Sequence, residues 1–126
     1  MATELWNPKI ESMKSTELKD LQLKRLKQLT KRVYQTNKFY KKKLQDAGVT
    51  PDGIKTLNDI EKIPFLTKND LREYYPFGLV CTEMDDIVEV HASSGTTGKP
   101  VVGPYTQNDV DLWGEVMARS LYANGL

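Results

Sequence analysis

The sequence predicts an α/β arrangement: a helix-rich N-terminal piece, then a strand–loop–strand–helix unit. Three observations carry that expectation. Apolar residues between positions 16 and 46 recur at helical steps, Ile87-Val88-Glu89-Val90 has the β-branched richness of a strand, and a Ser/Thr/Gly-rich segment separates that strand from a second extended run at 101–105.

The first element is expected to be one long helix over residues 16–46. Leu26, Leu29, Val33, Tyr40 and Leu44 follow three-, four- or seven-residue steps and so share one stripe, while Lys24, Lys27, Lys31 and Lys42 fall on the other side. Thr16 can cap its start, and Gly48 can adopt the left-handed backbone that ends it. Val49-Thr50-Pro51-Asp52-Gly53 is a turn by composition. Thr56 then opens a short helical turn through Asp59 and Ile60 that Pro64 stops. Thr67-Lys68-Asn69-Asp70 has the spacing of a capping box, opening a helix from Leu71 to Tyr75 that Pro76 and Gly78 end. Thr106 and Asp109 repeat that cap spacing. Val110, Trp113, Met117 and Leu121 fall on one face of the following helix, which Asn124-Gly125 closes. Residues 1–50 therefore form a helical segment, and residues 51–126 hold the linker helices and the strand–loop–strand–helix unit.

Composition narrows the class. Hydrophobic residues make up 39% and charged residues 28%, the balance of a chain that buries a core rather than staying disordered. No run of about 18 apolar residues is present, so no transmembrane helix is expected. The first residues lack a basic start and an apolar core, so no secretory signal is expected. Cys81 is the single cysteine and cannot form an internal disulfide, which fits a reducing cytoplasmic setting. The net charge of +1 conceals an asymmetry. Residues 14–43 hold eleven Lys and Arg against Glu17 and Asp20, a local charge of +9, whereas the remainder holds seven basic and fifteen acidic residues, or −8. Aromatic residues do not interleave with the basic ones, which argues against a single-strand nucleic-acid platform. The block reads as a solvated helix face, with neither nucleic acid nor membrane as partner.

The chemistry concentrates in His91-Ala92-Ser93-Ser94-Gly95-Thr96-Thr97-Gly98-Lys99-Pro100. Glycines let backbone N–H groups converge on one concavity, which is how a loop holds an anion. The hydroxyls of Ser93, Ser94, Thr96 and Thr97 add donors, and Lys99 adds a full positive charge suited to a polyphosphate. A hairpin turn alone needs two special residues, not six. A Walker loop is excluded, because Ser93 stands five positions before Gly98 where that motif needs glycine, and Pro100 follows Lys99 where it needs Ser or Thr.

Ser93 to Pro100 matches at every position the Ser-Ser-Gly-Thr-Thr-Gly-x-Pro loop of adenylate-forming enzymes. The flanking residues Trp6-Asn7-Pro8 with Ile10-Glu11, Leu66 to Arg72 with Tyr75-Pro76-Phe77-Gly78, and Asn108-Asp109 with Met117 to Ser120 are similar to phenylacetate–coenzyme A ligases. The resemblance runs over essentially all 126 residues. It implies the N-terminal part of an adenylation domain whose complete enzyme converts phenylacetate, ATP and coenzyme A, with Mg2+, into phenylacetyl-CoA, AMP and pyrophosphate. By that resemblance Ser93, Ser94, Gly95, Thr96, Thr97, Gly98 and Lys99 bind the β- and γ-phosphates. Lys99 is not the family's catalytic lysine, which belongs to a C-terminal lid, so no catalytic residue and no metal ligand are assigned here. One departure is Gly103-Pro104-Tyr105, where proline is expected to shorten the strand or add a bulge.

Three other residue types compete for a functional role. His91 is the only histidine and reads as a partly buried side chain ending a strand, since adenylation of an ionised carboxylate needs no base. Cys81 reads as a small core residue, and Trp6 and Trp113 as core anchors. Two function classes follow: the start of an aryl-acid–CoA ligase, inactive alone, or a free-standing anion- or protein-binding module. Either way the apolar face of the last helix is expected to be exposed and to favour a homodimer.

Overall fold

The computed structural model describes residues 5–95 and 98–126. Its helices are α1 (Pro8–Glu11), α2 (Ser15–Thr36), α3 (Lys38–Asp46), α4 (Lys68–Glu73) and α5 (Gln107–Ala123), and its strands are β1 (Ile87–Ala92) and β2 (Val102–Thr106). Short 3₁₀ turns at Pro51–Gly53, Leu57–Lys62 and Met84–Asp86 join them.

The single helix expected over 16–46 is two helices. Asn37 has extended backbone between α2 and α3, and its side-chain oxygen accepts the Phe39 N–H at 3.0 Å, so it caps the second helix. Its amide nitrogen donates to the Gly78 and Val80 carbonyls at 2.9 and 3.2 Å. An asparagine that satisfies both a helix start and two distant carbonyls has more to gain outside the helix than within it. Nor does Thr16 cap α2. The helix starts at Ser15, where the Lys14 N–H donates to the Glu17 carboxylate at 3.2 Å.

The buried stripe is also rotated from its expected position. Leu44 lies in the core as predicted, but Leu29 is 50% exposed and Thr30 is buried in its place. The Thr30 hydroxyl donates to the Leu26 carbonyl at 2.8 Å, which satisfies its polar atom and leaves a methyl group to pack. Leu23, Leu26, Val33, Tyr34 and Ile63 surround a centre made of Leu44, Val49 and Ile54.

That centre is built by one helix end. Gly48 has φ +69°, its N–H donates to the Gln45 carbonyl at 2.9 Å, and the Val49 N–H reaches back to Leu44 at 2.8 Å. This paired closure forces the chain to reverse, setting Val49 against Leu44. The 3₁₀ turn that follows delivers Ile54 to the same point. Each remaining cap works as its sequence spacing suggests. Asp59 accepts the Lys55 and Thr56 N–H groups and the Lys62 ammonium, Asp70 accepts the Thr67 N–H and Lys43, and Asp109 accepts the Thr106 N–H and hydroxyl.

β1 and β2 pair antiparallel, with Ala92 opposite Val102 and Val90 opposite Pro104. Pro104 does not shorten its strand, because each strand of a two-stranded ribbon is an edge that tolerates a missing N–H. A register irregularity lies between Ile87 and Glu89, on the other strand. α5 presents Trp113, Met117 and Leu121 half-exposed, and Leu112 and Val116, off the expected face, are exposed to the same degree.

Leu44→Ala is expected to cost about 2–5 kcal/mol, the usual range for emptying a core leucine site. Leu29→Ala should cost about 0.5 kcal/mol or less, as for an exposed position. Urea unfolding followed by circular dichroism measures both, and equal losses would mean that Leu29 packs as the sequence pattern suggested. Acid should act through the caps. The Lys62 hydrogen bond and the Thr56 and Lys55 amides hold the Asp59 carboxyl well below the ordinary carboxylate range. A depressed folded pKa gives stability that is present above the unfolded value of about 3.9 and is lost as pH falls further. Asp59→Asn, which keeps an acceptor but no charge, is therefore expected to lower the melting temperature at pH 7. The gap to the unsubstituted chain should close on acidification below about pH 4.

Candidate phosphate-binding loop

The hairpin sets the loop's two ends side by side. The Ser93 N–H donates to the Val101 carbonyl at 2.9 Å, and the Val101 N–H donates to the Ser93 hydroxyl oxygen at 2.9 Å. Ser93 thus extends the ribbon one step beyond Ala92 through its side chain. Its hydroxyl proton remains available, because in this pair the oxygen serves only as acceptor.

Inside this gate the backbone turns sharply. Gly95 has φ +66° and Gly98 has φ +129°, both in the region that favours glycine. The Gly98 N–H donates to the Gly95 carbonyl at 3.1 Å. A side chain at Gly95 would meet that Gly98 carbonyl at 3.1 Å, so the position has little room for one in addition to its backbone requirement. Of the loop's amides, those of Ser93 and Gly98 are committed internally. Ser94 and Lys99 are exposed, and Thr96 and Thr97 lie outside the described residues. The structure therefore brings Ser93, Ser94, Gly95, Gly98 and Lys99 onto one short turn between two strand ends.

The Lys99 ammonium lies 6.0 Å from the centre of the Tyr75 ring. No described carboxylate forms an ion pair with Lys99. Sequence reasoning about the loop did not identify Tyr75, which lies twenty-four positions upstream. Its only signal was its place in the Tyr75-Pro76-Phe77-Gly78 run.

The strands under the loop are fastened to α5 by aromatic rings. Tyr105 and Trp113 stack with centroids 5.7 Å apart, and His91 approaches them at 5.0 and 5.5 Å. His91 Nε2 also lies 2.8 Å from the Glu89 carboxylate. It is half-exposed and one residue short of the end of β1, with no described loop residue among its hydrogen-bond partners. Trp113 is not a core anchor, since it is 46% exposed, and Trp6 is equally half-exposed. Trp6 works by its N–H, which donates to the Glu115 carboxylate at 2.9 Å. Asn7 donates to the other oxygen at 2.7 Å, and together they draw the N-terminal segment onto α5. Those two donors, the Asn7 contribution first, hold the Glu115 carboxyl below its ordinary value.

At the other end of the hairpin, a cleft of about 630 Å3 opens between α2, α3 and the start of α5. Arg32, Tyr40, Cys81, Asp86 and Asp109 contribute to its walls. Cys81 is half-buried, with its thiol 3.6 Å from the Leu79 carbonyl oxygen, so it lines this cleft rather than a core. Burial, the first cause, together with the charges of Cys81 and Asp70, raises the Tyr40 hydroxyl above its ordinary pKa.

No family model matches the chain. Comparison with individual proteins is decisive. It is 47% identical over 121 residues to the phenylacetate–coenzyme A ligase of Thermus thermophilus, an alignment covering 96% of this chain. It is 48% identical over 116 residues to the enzyme of the same name from Escherichia coli. The chain is a relative of the phenylacetate–coenzyme A ligases. It spans about a quarter of their length, 27% and 26% of these two. Among solved structures, a 2-hydroxyisobutyryl-CoA ligase in complex with 2-HIB-AMP and CoA matches with a TM-score of 0.85 and 32% identity. That match covers 97% of this chain and 27% of that one. The same ligase in an open conformation matches with a TM-score of 0.80. The helices and ribbon described above thus match an N-terminal part of an adenylate-forming ligase fold.

Ser93→Ala is expected to leave the Val101 N–H without its partner. Losing a hydrogen bond of about 1 kcal/mol corresponds to roughly five-fold faster amide exchange there. Ser94→Ala should leave that exchange rate unchanged. Hydrogen exchange followed by NMR separates the two, and equal behaviour would mean that the Ser93 side chain does not close the loop.

Proposed function

We propose that this chain supplies the phosphate-gripping loop of an ATP-dependent aryl-acid–CoA ligase. The overall reaction is phenylacetate plus ATP plus CoA giving phenylacetyl-CoA, AMP and pyrophosphate. The carrying observation is the turn between Ser93 and Lys99: two positive-φ glycines, exposed hydroxyl and ammonium donors, and a gate that fixes its ends. The similarity to phenylacetate–coenzyme A ligases supports the substrate classes.

In the first step the acid's carboxylate attacks the α-phosphorus of ATP and pyrophosphate leaves. Most of the catalytic task is to hold the two reactants in line and to stabilise charge on the phosphoryl oxygens. Ser94, Thr96, Thr97 and Lys99 would donate to the β- and γ-phosphate oxygens, with the Ser93 hydroxyl proton as a further donor. They orient the leaving group and make no bond to it. Magnesium suits this donor set only as a passenger on the triphosphate. Among the described residues no group of three or more His, Cys, Asp and Glu is placed to hold an ion, and magnesium bound through phosphates keeps much of its water shell. Coenzyme A enters in the second step, where its thiol displaces AMP. No residue of this chain is assigned to that step or to the acid's ring. The chain by itself is proposed to be inactive, and the setting to be cytoplasmic.

In a full-length ligase carrying this segment, Lys99→Ala and Thr96→Ala are expected to lower efficiency with MgATP. Each removes a donor to a charged oxygen worth about 1.5–3 kcal/mol, or roughly 10- to 100-fold. Preference among aryl acids should not change. Steady-state kinetics with ATP and with a panel of acids tests this, and an altered acid preference with ATP dependence intact would overturn the assignment.

A further inference from the structure

We infer that Tyr75 is a positioning residue for Lys99, holding its ammonium at the mouth of the loop so that it is already aimed when a polyphosphate arrives. The inference rests on the phosphate-loop reading above and adds to it a residue outside the loop.

The two side chains differ in how firmly their backbones are held. Tyr75 follows α4 in a stretch that is tied down from several sides. The Gly78 N–H donates to the Tyr74 carbonyl at 2.8 Å, and Asn37 donates to the carbonyls of Gly78 and Val80. Tyr74 also packs on Phe39, with ring centres 4.7 Å apart. Lys99, by contrast, follows Gly98, where a Cβ would meet open space apart from its chain neighbours. Both residues precede a proline, Tyr75 before Pro76 and Lys99 before Pro100, and that neighbour disfavours a helical backbone at each. Two directions are thereby restricted, and the ammonium comes to rest 6.0 Å from the ring centre.

A ring suits this task better than a carboxylate. An acidic partner would neutralise the lysine and compete directly with an incoming phosphate. An aromatic face attracts the ammonium through its quadrupole, leaves the net charge in place, and spares donors on the side away from the ring. The contact is weak, of a size that changes an equilibrium about two- to five-fold at an exposed site. It orders a flexible side chain without trapping it.

The test uses NMR of the chain itself, with the ε-methylene signals of Lys99 assigned by their loss in Lys99→Ala. An upfield ring-current shift is expected in the unsubstituted chain and in Tyr75→Phe, and its disappearance in Tyr75→Leu. Titration with inorganic tripolyphosphate should then move the Lys99 and Ser94 signals. Its affinity should fall about two- to five-fold in Tyr75→Leu and be retained in Tyr75→Phe. A Lys99 signal at the position of a solvent-exposed lysine in the unsubstituted chain, or equal affinities for the leucine and phenylalanine variants, would overturn the role of Tyr75. A ring-shifted Lys99 that tripolyphosphate does not perturb would instead overturn the phosphate-loop reading, and the aiming role with it, while leaving the contact.

Discussion

One side chain holds the two halves of this chain in register. Asn37 ends α2, caps α3 through the Phe39 N–H, and donates to the Gly78 and Val80 carbonyls. Take that amide away and the reversal after α4 would lose two of its fixed carbonyls, while the α2–α3 junction would have no reason to sit at position 37. The segment from Tyr74 to Val80 is the bridge between the helical third and the ribbon. It lines the cleft, it carries Tyr75 toward Lys99, and it leads through the 3₁₀ turn at Met84–Asp86 into β1. A polar residue at a helix break is often only a local cap. Here the same residue also makes a contact forty-one positions away.

The parts legible in the sequence are those governed by local rules. Thr67–Asp70 and Thr106–Asp109 form the capping boxes that their spacing suggests, Gly48 adopts its left-handed backbone, and the strands flank the loop. Apart from the start of α2, where the local Lys14–Glu17 bond displaces Thr16, the misreadings involve partners distant in sequence. A stripe of five apolar residues passed through Asn37 because helical periodicity does not register where an amide finds its acceptors. Leu29 and Thr30 are adjacent, so a rotation of one residue, about 100° of helix, exchanges the side that packs. Nothing local decides between them. The fold of residues 48–63 decides, because it delivers Val49, Ile54 and Ile63 to one side. At the loop, residue types and glycine positions were legible, whereas the closure of Ser93 on Val101 and the approach of Tyr75 were not. Both depend on how strands and turns are placed in space.

Charge follows the same division. The basic block of residues 14–43 remains largely on exposed helix faces, and few of its members find acidic partners: Lys42 pairs with Asp46 on the surface, and Lys43 with Asp70 in a more sheltered place. Exposed pairs contribute little. The acidic residues that matter most are those already used as caps, where amide hydrogen bonds and lysines hold Asp59 and Asp70 ionised. Asp70 is the instructive case. Its carboxylate fastens the start of α4 through Thr67 and at the same time reaches Lys43 on α3 at 3.0 Å. Among the described residues the sequence-level asymmetry of +9 against −8 is thus met at few points, and of the two pairs named only Lys43–Asp70 ties the helical third to the linker.

The committed amides of the loop carry a consequence for how it can bind. A loop that used every N–H for its ligand would have nothing left to define its own shape, and binding would have to order the backbone at a cost of about 1–2 kcal/mol per residue. Here Ser93 and Gly98 direct their N–H groups to the carbonyls of Val101 and Gly95, and the Val101 N–H returns to the Ser93 hydroxyl. These hydrogen bonds therefore set the shape, and the exposed Ser94 and Lys99 side chains remain for the anion proposed above. The ribbon below is too small to hold such a loop rigid by itself, since a two-stranded hairpin is marginal in water. The stacked rings of Tyr105 and Trp113, with His91 against them, supply the missing support by fastening the ribbon to α5. α5 is in turn held at Glu115 by Trp6 and Asn7. Trp6 and Asn7 and the candidate phosphate loop, more than eighty positions apart in sequence, belong to one mechanical chain.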